Sequence, residues 1–415
     1  MITTTRKKSA VPDGWRMVRL REVADINRRK WTPRQGGSIR YLDLTAVETP
    51  GQLSPPKDLA SEDAPSRARR LVVSGDTLIS TVRPYLKGHV QIRDAPPDLV
   101  ASTGFAVVSP GPVIHSSLIF HHAIGYSFAQ HLEARMTGQA YPAVRPSDVG
   151  SYEFPLPLLE EQRAIASVLD AIDDEIEQTD RVIAAAERLR DALLHELLTK
   201  GLPGWHTEWQ EHPKLGAIPL GWNAIRLGEA AGINSQTWTP RQGGSILYLD
   251  LTAVPAPGQI APATHLDAEE APSRARRLVR SGDTLISTVR PYLKGHVLVR
   301  RAPPNLVAST GFAVVSPGTR IHPSLLFHHA MAPSFTRHLE ARMVGQAYPA
   351  VRPSDVASYT FALPPSEEQE AIAEMLDGVD NAIERTRREK AALTAFKESM
   401  SDALLTGRVR VPIHT

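Results

Sequence analysis

The chain is 415 residues long, has no cysteine and carries a formal net charge of only +2. Its length exceeds a single ordinary core and predicts two or three domains, while the missing thiols exclude disulfides and thiolate metal sites and favour a reducing compartment. No run approaches the ~18 apolar residues of a membrane span, and the opening "MITTTRKKSAVPDGW" has basic residues without an apolar stretch after them, so a soluble, cytoplasmic chain with no membrane partner is expected.

The near-neutral total conceals segregation. Between Asn27 and Arg93 lie 12 Lys or Arg against 6 acids, whereas Glu160–Asp180 holds 8 acids against Arg163. A basic body is followed by an acidic segment.

In chain order, "RYLDLTAV", "TLISTV", "HVQI" and "FAVV" read as short strands, because β-branched and apolar runs are broken by "SGD", "PYLKG" and "PP". Ser116–Met136 reads as one helix, capped by Ser116 or Ser117. After "FPLP" no glycine or proline appears until Gly201, and apolar or small residues recur with 4,3 spacing at Ile165, Leu169, Ile172, Ile176, Thr179, Ile183, Ala186, Leu193 and Leu197. This predicts a coiled-coil helix of about 60 Å, at 1.5 Å per residue.

Everything then repeats at an offset of 207: Trp15 matches Trp222, Asp76 matches Asp283 and Gln162 matches Gln369. The ten residues "STVRPYLKGH" stand at Ser80–His89 and again at Ser287–His296, and from Ser66 to Pro110 the copies differ only at Val73/Arg280, Gln91/Leu298, Ile92/Val299, Asp94/Arg301 and Asp98/Asn305. The second helix offers Ile372, Leu376, Val379, Ile383, Thr386, Leu393, Met400 and Leu404 as its seam, and Ser366 with Gln369 has capping-box spacing.

The expected organisation is a domain at 12–155, a helix at 156–201, a linker at 202–218, a second domain at 219–362 and a second helix at 363–407. The linker is too short to lead back along a 60 Å rod unless nearly straight, so the helices should run antiparallel. The fold class is thus mixed α/β: two globular α+β domains with pseudo-twofold symmetry, separated by two long antiparallel coiled-coil helices. The first half alone, to His206, is expected to dimerise through its one helix, Lys390 and Lys397 making the second half the poorer self-partner.

No G-x-x-x-x-G-K-[ST] phosphate loop, no G-x-G-x-x-G after a strand and no Asn-Pro-Pro-aromatic tetrapeptide is present, so nucleotide and methyl-donor chemistry is expected elsewhere and no catalytic residue is assigned. His115, His121, His122 and His131, with His322, His328, His329 and His338, lack acidic or thiol partners at ligand spacing and read as polar helix positions, with no metal site.

Three basic, turn-rich segments recur instead. "WTPRQGG" supplies Arg34 and Gln35, then Arg241 and Gln242. "SRARR" supplies Arg67, Arg69 and Arg70, then Arg274, Arg276 and Arg277, and "VRPYLKGH" beside it supplies Arg83, Tyr85 and Lys87, then Arg290, Tyr292 and Lys294. "TGQAYPAVRPSD" supplies Gln139, Tyr141 and Arg145, then Gln346, Tyr348 and Arg352. Arg and Lys neutralise phosphate and pair with guanine, Gln pairs with adenine, and proline stiffens the loop, so double-stranded DNA is the expected ligand. Solvated loops of scattered charge are the bland alternative, but they need no copying.

The chain resembles the specificity subunit of Type I restriction-modification systems over essentially all its length. The resemblance rests on "PLPLLEEQRAIASVLD" and "LPPSEEQEAIAEMLD", on "LLTKG" and "LLTGR" at the helix ends, and on "VPDGW" and "IPLGW" at the domain starts. It implies target-recognition domains that each read half of a bipartite site, and helices that dock two modification subunits, which bring S-adenosylmethionine and methylate adenine. Restriction (translocase) subunits driven by ATP, with Mg, would join them, leaving this chain without a cofactor of its own. An acidic helix suits a protein partner better than phosphate.

The family's two recognition domains usually differ, whereas these are near-identical and the helices match at only about half their positions; both domains are therefore expected to read one half-site. Two other readings fit the sequence: a twin-headed scaffold binding carbohydrate or acidic protein, and an enzyme active in its own right.

Overall fold

The computed structural model describes residues 11–412. The first domain has strands β1 (Arg16–Arg19), β2 (Ala24–Ile26), β3 (Ser38–Leu42), β4 (Lys57–Ala60), β5 (Ala68–Leu71), β6 (Thr77–Ser80), β7 (His89–Gln91), β8 (Leu99–Ser102), β9 (Phe105–Pro110) and β10 (Glu153–Leu156). β1 and β10 pair antiparallel and so bring the two ends of the domain together. The rest form two four-stranded sheets, β4-β3-β8-β5 and β2-β9-β6-β7. Among the described residues of this domain, only β3 and β8 run parallel.

Side-chain alternation along these strands sorts residues into layers. Leu42, Leu78, Ala101, Phe105 and Val107, drawn from both sheets, share one core. Their neighbours point the other way: Ile39, Tyr41 and Val100 join Trp31, while Ile79, Ala106 and Val108 join the helices. β6 is buried at all four positions because both its faces are covered.

The region expected as one helix is two, Ser116–Ile124 and Tyr126–Glu133, broken at Gly125. No serine caps it; His115 holds the N-cap position and its backbone N–H donates to Gln162 Oε1 at 2.8 Å. The second copy splits likewise into Pro323–Met331 and Pro333–Glu340, each with proline in the first turn.

The second domain repeats the topology, with sheets of the same strand order. The segment expected as a bare linker adds a hairpin, Trp209–His212 with Gly216–Pro219, and buries Leu202 and Ile218 in the second domain's core. Its turn at Pro213–Leu215 and its few apolar residues give too weak a strand signal to read.

The long helices are Leu159–Lys200 and Ser366–Leu405. Each is shared between two units: the first runs to Asp180 and resumes at Arg388, and the second is Arg181–Arg387. Within the first unit Asp173 pairs with Lys397 and Asp180 with Lys390; within the second, Glu187 pairs with Arg387 and Arg190 with Asp380. Rising numbers on one helix meet falling numbers on the other, so the segments are antiparallel in each unit.

The seam differs from a continuous apolar stripe. Ile165, Leu169 and Leu404, with Met400 beside them, belong to the first domain's core; Leu197, Ile372 and Leu376, with Leu193, belong to the second's. Between these anchored ends Ile383 is buried, Ile172, Ile176, Ile183, Val379 and Leu393 are half-buried, and the ion pairs occupy the flanks. Among the described residues no helix is long and apolar enough to cross a membrane.

Candidate nucleic-acid interface

The recurrent basic segments are far apart in sequence, yet backbone hydrogen bonds stitch them into one rim. Trp31 N–H donates to Arg69 O, and Lys30 bridges Arg70. Thr103 N–H donates to Arg67 O; the next residue, Gly104, accepts from both the N–H and the hydroxyl of Thr81. Val144 N–H in turn donates to Thr81 O, and Arg83 N–H donates to Pro142 O at 2.8 Å. An added Cβ at Gly104 would lie 2.8 Å from the Leu44 side chain, which would have to move to admit a larger residue. The second domain has the same stitching, from Trp238 through Thr310, Gly311 and Thr288 to Val351, with Arg290 N–H on Pro349 O.

At the centre of each rim is an arginine in a costly conformation. Arg83 and Arg290 have φ +47°, and Lys87 and Lys294 φ +51°, left-handed backbone that non-glycine residues rarely adopt. Pro84 and Pro291 follow and are buried, fixing the short 3-10 turns Pro84–Leu86 and Pro291–Leu293. The guanidinium of Arg83 lies 5.4 Å from the ring centre of Tyr141, and that of Arg290 5.1 Å from Tyr348. Arg290 also donates to Ala347 O at 3.2 Å. Both tyrosines are 73% exposed, and Leu86 and Leu293 are exposed beside them. An exposed aromatic held against a cation by a strained loop stabilises no core, so the arrangement reads as a binding surface.

Exposed with them are Arg34, Arg67, Tyr85, Gln139 and Arg145, and in the second domain Arg241, Arg274, Tyr292, Gln346 and Arg352. Gln35 closes the turn Pro33–Gln35, its side chain lying outside the described residues. Gln242 accepts from Thr239 N–H at 3.0 Å and so braces its own turn. Arg69 and Arg276 are half-buried and each donates to its neighbouring carbonyl, Ala68 O or Ala275 O. Burial lowers the pKa of Arg70 and Arg277, both half-buried.

The lysines go elsewhere. Lys294 Nζ donates to Met331 O at 3.1 Å, and burial lowers its pKa. Lys87 lines a cleft of about 450 Å³ with His121, His122 and the Thr394–Thr406 stretch of the second long helix. The left-handed turn aims them toward the helices.

Four of these histidines, His121, His122, His328 and His329, are core groups. His121, fully buried, donates from Nε2 to Asp170 Oδ1 at 2.9 Å, tying the domain to the long helix; His328 does so to Asp377 at 3.0 Å. His131 donates to Asp148 O. Burial pushes His122 and His329 down to about 3. His121, His122, His328 and His329 lie on helix faces that pack inward, whereas His115 and His322 hold N-cap positions and His131 and His338 are half-buried. Among the described residues no three His, Asp or Glu side chains gather as a metal site.

The "EEQ" triplets carry the join between domain and helix. Gln162 accepts from His115 N–H and donates to Val113 O and Pro157 O. Gln369 does the same for His322, Arg320 and Pro364, so it does not cap Ser366 as its spacing suggests. Glu161 accepts from Trp15 Nε1 at 3.0 Å and pairs with Arg410; Glu368 accepts from Trp222 Nε1 at 2.9 Å and pairs with His206 at 2.7 Å. Both motifs are legible in the sequence, but the meeting of each tryptophan with its glutamate is not. Only its recurrence at the shared offset signalled it.

Two equivalent α/β domains, each presenting one exposed basic and aromatic rim and each keyed to paired long helices, define a duplicated recognition protein. Residues 12–188 and 280–395, well over half the chain, match the profile of the Type I restriction modification DNA specificity domain, and the chain belongs to that family. It is 26% identical over 292 residues to the Type I restriction enzyme MjaVIII specificity subunit of Methanocaldococcus jannaschii, covering 68% of this chain and 67% of that one. A solved chain from work on complex assembly and conformational transition of the type I R-M system is 27% identical, with TM-score 0.59 and coverage of 96% of this chain and 99% of that one. The Type-I restriction-modification S subunit from M. genitalium shares the fold, with TM-score 0.59 at 14% identity and 98% of each chain covered. The protein is thus a non-catalytic DNA specificity subunit, which works with the other subunits of a restriction-modification complex and carries no cofactor of its own.

Proposed function

We propose that the rim of each domain is its reading surface, with Arg83 and Tyr141, and Arg290 and Tyr348, at its centre. The observation that carries this is the repeated strained arginine stacked on an exposed tyrosine, built by stitching loops from three parts of each domain. Arg67, Arg145, Arg274 and Arg352 supply phosphate contacts and Gln139 and Gln346 supply amides able to reach adenine. Because the two rims are nearly the same residues, both domains read one half-site. The antiparallel run of the helix segments within each unit supports an inverted order of the two halves.

The helices dock two methyltransferase subunits that hold S-adenosylmethionine and methylate adenine, and restriction subunits using ATP and Mg complete the assembly. The cysteine-free composition supports a cytoplasmic setting. The test is DNA binding by the full chain with its modification partner. Affinity falling steeply with salt, together with preference for one sequence, supports the reading; salt-independent or sequence-blind binding overturns it.

A further inference from the structure

The long helices have diverged where the domains have not, and the divergence falls on the residues that pair them. Among the described residues, ion pairs that join the helices include Asp173–Lys397, Asp180–Lys390 at 2.5 Å, Glu187–Arg387 at 2.5 Å and Arg190–Asp380 at 3.9 Å. All eight side chains are half-buried or more. The 207-residue offset shows what each would meet in an antiparallel pair made from two copies of one helix in the same register. Every residue of the second helix is replaced by its counterpart 207 positions earlier.

The outer pairs do not discriminate. Lys397 corresponds to Arg190 and Asp380 to Asp173, so two first helices would still join Asp173 to Arg190, and two second helices would join Asp380 to Lys397. The inner pairs do discriminate. Lys390 corresponds to Ile183 and Arg387 to Asp180. Between two first helices Asp180 would therefore face Ile183, and Glu187 would face Asp180, acid against acid. Between two second helices Lys390 would face Arg387, base against base. Facing like charges at a half-buried seam are unfavourable, and charged flanks of this kind set partner choice in coiled coils.

We propose that Asp180–Lys390 and Glu187–Arg387 form a self-recognition code that joins the first helix to the second and rejects a second copy of either. The code supplies what the domains cannot. Near-identical domains give a neighbouring chain no reason to be refused, and helix exchange would join chains into dimers with four readers. This inference is independent of what sequence the rims read. It also reverses the expectation that the first half of the chain pairs readily with itself, because apolar spacing alone hides which charges oppose one another.

The test uses the full chain, with light scattering across micromolar concentrations and thermal unfolding. The unsubstituted chain should be monomeric. In Asp180→Lys the new lysine repels Lys390 of its own chain and attracts Glu187 of a second copy, so self-association should tighten about tenfold or more and a reversible dimer should appear. Reversing all four residues, Asp180→Lys, Glu187→Lys, Arg387→Glu and Lys390→Glu, should restore the monomer and the original melting temperature. Reversing either helix alone should lower that temperature by several degrees. A folded, monomeric Asp180→Lys chain would overturn the code, as would a fourfold variant no more stable than the two half-reversed ones. The stability comparison decides the matter even if Asp180→Lys does not fold.

Discussion

Arg83 and His89 stand at the two ends of one loop and fail in different ways when altered. Replacing Arg83 and Arg290 together with alanine removes the centre of both rims and should weaken DNA binding by several kcal/mol, at about 1–3 kcal/mol for each guanine or phosphate contact. Titration of the specific DNA checks this, and unchanged affinity would remove the loop from the interface. Asp94 and Arg301 serve as controls, since the copies reverse charge there. His89 is structural: its Nδ1 accepts from Ser80 N–H at 3.1 Å, and burial pushes it down to about 4, while His296 is pushed to about 3. The unfolded chain, where histidine titrates near 6.5, takes up protons first. Stability is therefore full above about pH 6.5 and falls as pH drops toward 4. His89, His122, His296 and His329 should each cost about 2 kcal/mol at pH 5 relative to pH 7. Urea midpoints at the two pH values measure it, and equal midpoints would contradict it.

At the scale of elements, Gln162 holds both the start of the Ser116–Ile124 helix and the end of β10's loop to the long helix. Gln162→Ala strands His115 N–H and two carbonyls, each costing about 1–3 kcal/mol when buried, so the first domain should lose several kcal/mol in denaturant unfolding. A loss below about 0.5 kcal/mol would mean that water replaces the amide. Strands such as Thr77–Ser80 and Phe105–Pro110 were legible because apolar runs and turn residues are local signals. The break at Gly125 was less so, although Pro333 marks the same break in the second copy. The rim residues were legible as types but not as a cluster, because Arg67, Thr81 and Val144 meet only through tertiary hydrogen bonds. Where the side chains of Lys87 and Lys294 lie was not legible, since a left-handed turn decides where a side chain points and sequence does not show the turn.

At the scale of the whole molecule, the proposed shared reader predicts the form of the DNA target. On the proposed reading, two copies of one reader joined by antiparallel helix segments would meet the two strands of a duplex in opposite senses, as symmetry-related readers do. The recognised sequence should therefore be an interrupted palindrome: a short half-site, an indifferent spacer and the reverse complement of the first half. Helices of 42 and 40 residues are about 60 Å long, and on the same reading half-site centres should lie on the order of one to two duplex turns apart. Sequencing that detects adenine methylation, applied to cells carrying this subunit with its modification partner, shows the motif directly. Two unrelated halves would refute shared specificity. A direct repeat would refute the inverted arrangement while leaving the shared reader intact, so the two parts of the claim fail separately. Moving Asp94 and Asp98 to their second-copy identities, Asp94→Arg and Asp98→Asn, should leave the motif unchanged, because those positions differ between copies that are held to read the same bases.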